Sequence, residues 1–159
     1  MWWFDKRKRK EIWDEPIQWP IGDIEAAHRI RDICRSAVDS AEKAGGIAEC
    51  ADNGNNDAGK YDTKNNKNKN SDNKNSDDKN NSDRRRNKHE ADRYERAAKA
   101  AMEIAIKISD DLLRDSSVRQ IVDLCVKAND LRTARILFRA IQTTSIRQEV
   151  LNDHPIFRR

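Results

Sequence analysis

The stretch KNNKNKNSDNKNSDDKNNSDRRRNK, from Lys64 to Lys88, contains no apolar side chain. It limits what the chain can fold into more than any motif does. Asn, Asp and Ser offer the backbone local hydrogen bonds that compete with helix and sheet. Ordering such a segment costs roughly 1–2 kcal/mol per residue, and nothing is buried in return. The wider segment 51–87 is therefore expected to be a disordered, low-complexity linker rich in Asn, Lys and Asp. About 120 of the 159 residues are then left to build a core, enough for one small helical domain. Charged residues at 38% and hydrophobic ones at 36% depart from globular averages of roughly 25% and 45–50%, as a partly unpacked chain should.

The flanks of this linker have helical periodicity. Asp23 suits an N-cap and Glu25 a first turn. They predict a first helix over 23–46, regular to about Ala44 and stopped by Gly45-Gly46. Its small and apolar positions, Ala27, Ile30, Cys34, Ala37, Ala41 and Ala44, step by three and four, a coiled-coil seam that admits a close neighbour. A second helix is expected from Lys88 to about Leu113, with the seam Ala91, Tyr94, Ala98, Ala101, Ala105, Ile108 and Leu112. The two should pair. A flexible linker of this length spans roughly 35 Å, close to the length of the helix, so parallel and antiparallel pairing are both open.

The C-terminal part changes character. Ser116-Ser117 suit the cap of a helix over Val118–Ala128, Asn129-Asp130 a turn, and Leu131–Ile141 a helix with Ala134, Leu137, Phe138 and Ile141 inward. A last short helix is expected over Ile146–Leu151. The predicted fold is all-α: a helical pair plus short helical hairpins, with a helical domain over 88–155.

Shifted by 33 residues, Ala101 falls on Ala134, Ile104 on Leu137, Ile108 on Ile141, Leu113 on Ile146 and Val118 on Leu151. A period of 33–34 residues is that of stacked helical hairpins. Within 118–141, IVDLCVKANDLRTARILFRAI resembles a degenerate tetratricopeptide-type unit, with a fainter copy at 97–118. Asn129-Asp130 stand at that family's turn, and Ala134, Phe138 and Ile141 where its second helix packs. Ile121 and Val122 replace the large aromatic and the glycine of its first helix. The resemblance implies a peptide- or protein-binding scaffold without catalysis.

All four tryptophans, Trp2, Trp3, Trp13 and Trp19, lie in residues 1–22, an extended arm that also carries Lys6, Arg7, Lys8, Arg9 and Lys10. The rings can dock on the helices to complete the core, or anchor a partner protein, where Trp is a frequent hot spot. Alternatively, Trp2, Trp3 and Phe4 can sit at a bilayer interface while the basic run meets anionic lipid. The same run also suits nuclear import. Arg132, Arg135 and Arg139 line the helix face opposite Ala134, Phe138 and Ile141, a stripe for phosphates or an acidic partner. Arg84, Arg85 and Arg86 add a second basic cluster. A DNA-reading helix-turn-helix over 118–141 is disfavoured by the acidic turn.

Chemistry is harder to find. Cys34, Cys50 and Cys125 are far apart and form no CxxC pair, which argues against a zinc ribbon or thioredoxin-type site and for reduced thiols. His28, His89 and His154 have no partner at ligand spacing. NGNNDAGKYDTK, from Asn53, superficially suggests a calcium loop, but its glycine comes one place late and Lys64 replaces the bidentate glutamate. There is no glycine-rich phosphate loop. MWWFDKRKRK is no signal peptide, and no apolar run reaches membrane-spanning length, so a cytoplasmic protein is expected. A net charge of +4 permits a nucleic-acid or membrane partner without demanding one. The expectation is a small non-catalytic interaction or adaptor protein, with no cofactor, metal or small-molecule substrate. Its partner is a protein or a second copy. The alternatives are a nucleic-acid accessory protein using Lys6–Lys10 and Arg84–Arg86, and peripheral membrane attachment through the arm.

Overall fold

A computed structural model describes residues 10–52 and 76–158, with side chains at 10–46 and 84–158. Five helices follow in order: α1 Asp23–Asp52, α2 Ser76–Ala105, α3 Asp111–Lys127, α4 Leu131–Ala140 and α5 Thr144–Asp153. Single 3-10 turns, Ile12–Asp14 and Pro155–Phe157, stand at either end. Among the described residues there is no strand, and the fold is all-α. No described helix is long and apolar enough to cross a membrane. Most of the linker, residues 53–75, lies outside the described residues.

α1 and α2 run antiparallel. Near one end the Asp23 carboxylate accepts the Ser109 and Asp110 backbone N–H groups, at 3.1 and 2.8 Å. Farther along, the Ser40 hydroxyl donates to Glu90 Oε2 at 2.7 Å. Low numbers on one helix therefore face high numbers beyond the other. The seam is the alanine-rich one expected: Ala27, Ile30, Cys34, Ala37 and Ala41 are buried with Tyr94, Ala98, Ala101 and Ala105. Alanine brings the backbones together, and Ile30, Ile33 and Ile104 fill what remains. Each of these isoleucines contributes about 1.5–3 kcal/mol by leaving water.

α3 packs against both α1 and α2 and closes the core with Ile121, Val122, Leu124 and Cys125. Asn129 takes a left-handed conformation, φ 56°, in the turn to α4, which asparagine tolerates better than most residues. Asp130 then caps α4 by accepting the Thr133 N–H, and it also accepts the Tyr94 hydroxyl at 3.1 Å. The turn is thus tied to α2. α4 and α5 are amphipathic and bury Ala134, Phe138, Ile146 and Val150.

Several boundaries differ from those expected. Gly45-Gly46 do not stop the first helix, which continues to Asp52. A Cβ on Gly45 would stand 2.3 Å from the Lys127 carbonyl oxygen, so this glycine serves close approach rather than termination. α2 begins at Ser76, earlier than Lys88, and the predicted helix to Leu113 is broken after Ala105. Asp23 and Asp110 explain the break: Asp23 accepts the backbone donors of the turn, and Asp110 caps α3 by accepting the Leu113 N–H. Leu112 consequently leaves the seam and is exposed. Ser116-Ser117 are not a cap. Both lie inside α3, where buried Ser117 donates its hydroxyl back to the Leu113 carbonyl. α5 is also longer than the predicted 146–151.

Under the shift of 33 residues, Asp111 at the start of α3 falls on Thr144 at the start of α5. The turn between α2 and α3 falls on the turn between α4 and α5.

Candidate interaction face

The arm divides into a docked part and a part that lies outside the described residues. Trp2, Trp3, Lys6, Arg7, Lys8 and Arg9 belong to the latter. Trp13 takes the docking alternative rather than that of a partner contact: it is 8% exposed and belongs to the core. The Arg93 guanidinium lies over its ring at 5.8 Å, and ion pairs Arg93–Glu11 at 2.8 Å and Arg96–Asp14 at 3.2 Å fasten the arm to α2. A hollow of about 860 Å³ runs along this seam. Acids and bases both line it and pair with each other there, so it reads as the docking seam of the arm. Trp19 is half-exposed at 43%, with the Lys107 ammonium 4.1 Å from its ring centre. Lys10 is exposed.

Arg132, Arg135 and Arg139 are exposed on α4, but Arg135 and Arg139 share a cleft with Phe138 instead of standing opposite it. The fold adds Arg147 from α5 and Arg158 from the tail. Arg135, Arg139, Arg147 and Arg158 surround a cleft of about 560 Å³ whose floor is Phe138, Leu151, Ile156 and Phe157. Phe138 and Phe157 stack with centroids 5.2 Å apart, and both rings are buried. Ile156 is 42% exposed and offers apolar surface.

Two of these arginines are held in place without losing their charge. Arg147 lies over the Phe138 ring at 5.2 Å and donates to the Ile141 carbonyl. Arg158 donates to the Leu151 carbonyl and the Asn152 side-chain oxygen. These acceptors are all neutral. The acids of α5, Glu149 and Asp153, are instead engaged by Arg119 of α3, the latter at 2.8 Å. Among the described residues no carboxylate forms an ion pair with Arg132, Arg135, Arg139, Arg147 or Arg158.

The sequence contains a signal for this face in its charge distribution. Residues 1–130 carry 26 Lys or Arg against 26 Asp or Glu, whereas residues 131–159 carry 6 against 2. The whole net charge of +4 therefore belongs to the segment that builds the cleft. Arg84, Arg85 and Arg86 are exposed on α2 and do not line it. Chemically, the cleft offers forked donors for carboxylates or phosphates around an apolar floor. Exposed ion pairs are worth about 0.2–1 kcal/mol each, and a buried aliphatic side chain about 1.5–3 kcal/mol, so the floor matters as much as the rim.

The remaining titratable groups serve the fold. Burial opposes the charge of Asp115, but hydrogen bonds from Thr143 and Gln142, with Arg114 nearby, outweigh it and hold its carboxyl below the ordinary range. The Ser40 hydrogen bond, with Arg93, Lys43 and His89 against some cost of burial, does the same for Glu90. Burial pushes the Cys34 thiol up to about 12 and Cys125 to about 11. Burial beside Cys125 and Asp130 also raises the Tyr94 hydroxyl well above its usual value. His28 and His89 are exposed, and His154 lies 2.7 Å from Asp123. Among the described residues no three or more His, Cys, Asp and Glu side chains gather in a way that could hold a metal ion. In comparisons with known proteins, the chain matches no family model, no curated protein and no solved structure.

Proposed function

We propose that this chain is a non-catalytic helical interaction protein that binds an acidic protein partner through the arginine face of α4, α5 and the C-terminal tail. The observation that carries the reading is a rim of arginines with no acidic partner among the described residues, set around an apolar floor. A rim without a floor would suit any polyanion. The floor favours a protein, because its aromatic rings are buried against each other and offer no open face for bases to stack on. The tetratricopeptide resemblance of 118–141 points to the same class, a scaffold that holds a peptide. A cytoplasmic setting, in which Cys34 and Cys125 remain thiols, suits this role.

The test is fluorescence anisotropy of the full chain with a labelled Glu-rich peptide, a labelled single-stranded DNA and anionic vesicles, between about 50 and 200 mM salt. The reading expects peptide binding that weakens with salt and is lost in Arg135→Glu/Arg139→Glu. DNA binding that survives this double substitution but fails in Arg84→Ala/Arg85→Ala/Arg86→Ala would replace it with the nucleic-acid alternative. Vesicle binding that needs Trp2 and Trp3 would replace it with membrane attachment.

A further inference from the structure

The geometry of the cleft narrows the acidic partner to one kind of ligand, and this step rests on the reading just proposed. Arg135 and Arg139 stand four residues apart on α4, so their origins are about 6 Å apart along one wall. Two carboxylates four residues apart on a ligand helix have the same spacing. Arg147 and Arg158 line the same cleft, each held by neutral acceptors and, among the described residues, paired with no carboxylate. Ile156 and Leu151 line the cleft together with the buried Phe138–Phe157 stack, and Ile156 presents apolar surface.

We infer that the cleft receives a short amphipathic helix that places one aliphatic side chain on the Ile156–Leu151 floor and a pair of carboxylates, four residues apart, on Arg135 and Arg139. Charge complementarity fixes the sign of the ligand. The rise of α4 fixes the spacing of its acids, and the exposed isoleucine calls for an apolar anchor between them. The cleft of about 560 Å³ is open to solvent and has room for anchoring side chains from one face of a helix. The helix would lie in a groove between helical elements, a recurring mode of peptide recognition.

The experiment uses the full chain and three labelled helix-forming peptides of equal charge. The first has two Glu four residues apart with Leu between them on the same face. The second replaces that Leu by Gln. The third keeps the Leu but moves one Glu to the far face. The inference expects the first to bind at least 10-fold more tightly than either of the others, with Ile156→Gln removing the advantage of Leu over Gln. It also expects Arg139→Glu to lose the first peptide by at least 10-fold and to regain it when the facing Glu of the peptide becomes Lys. Arg139 and Ile156 are exposed, and unchanged circular dichroism would confirm that the variants fold. Equal binding of all three peptides would overturn the inference while leaving the acidic-partner reading in place. Failure of every acidic peptide to bind would overturn both.

Discussion

The Asp115 carboxylate of α3 holds the start of α5 through Thr143. A single oxygen, Oδ2, accepts the Thr143 backbone N–H and its hydroxyl, both at 2.7 Å, and the Gln142 N–H at 2.9 Å as well. Asp115 is 1% exposed, whereas its donors lie nearer the surface, Thr143 half-buried and Gln142 exposed. Removing the acceptor takes three hydrogen bonds from the start of α5 and leaves a cavity at a buried position. Asp115→Ala is expected to cost about 3 kcal/mol in urea unfolding and to loosen α4 and α5 together. Loss of the arginine-lined cleft at a temperature where α1–α3 remain folded would be the accompanying sign.

Acid should act through the same carboxylate. Its pKa is lowered in the folded state, so its stabilising contribution is complete above the ordinary carboxylate value, near pH 4, and is lost as pH falls through the lower folded value. Glu90, also lowered, has the same sign. Asp115→Asn is expected to be less stable at pH 7 and to show a flatter decline below about pH 4. Chemical denaturation at a series of pH values measures both. A decline as steep as that of the parent would assign the acid sensitivity elsewhere.

The two neighbouring glycines of α1 should respond with opposite signs. In an open helix position, Gly→Ala gains about 1 kcal/mol. Among the described residues nothing lies within 4 Å of where a Cβ on Gly46 would stand, so Gly46→Ala is expected to stabilise. At Gly45 the obstacle is the Lys127 carbonyl, which is backbone and cannot swing away. Gly45→Ala is expected to cost about 1–3 kcal/mol through overpacking between α1 and the end of α3. Paired thermal melts of the two variants decide it.

Buried thiols should be slow. With Cys34 and Cys125 raised by burial to about 12 and about 11, almost no thiolate exists at pH 8. In a Cys50→Ser variant, reaction with a thiol reagent is expected to proceed only as fast as the protein opens, and to become immediate in denaturant. Rapid labelling of the native variant would contradict the burial of both side chains.

The alanine seams were legible because a helical surface repeats, and repetition survives without knowledge of the neighbour. The ends of the helices were not. The break after Ala105 is stabilised by Asp23, which is distant in sequence, and Gly45 is explained by a carbonyl on α3. Local propensity reads Gly-Gly as a stop and Ser-Ser as a cap, but contacts between helices decided otherwise at both places. The arginines of α4 were visible as a stripe on one predicted helix. Arg147 and Arg158 join them only through the fold of α5 and the tail, and their sole trace in the sequence is the excess of positive charge after Asp130. The fate of Trp13 depended on Arg93 and the α2 surface, which no property of the arm itself specifies.

Antiparallel pairing of α1 and α2 places Asp52 and Ser76 at the same end of the hairpin. A chain cut between them would keep every contact described here between α1 and the other helices. The molecule is, in this sense, two pieces joined by a tether: one helix with its docked arm, and a four-helix remainder that it completes. Severing the tether would turn a step within one molecule into an encounter between two, and the stability of the whole would then depend on how much of each piece is present.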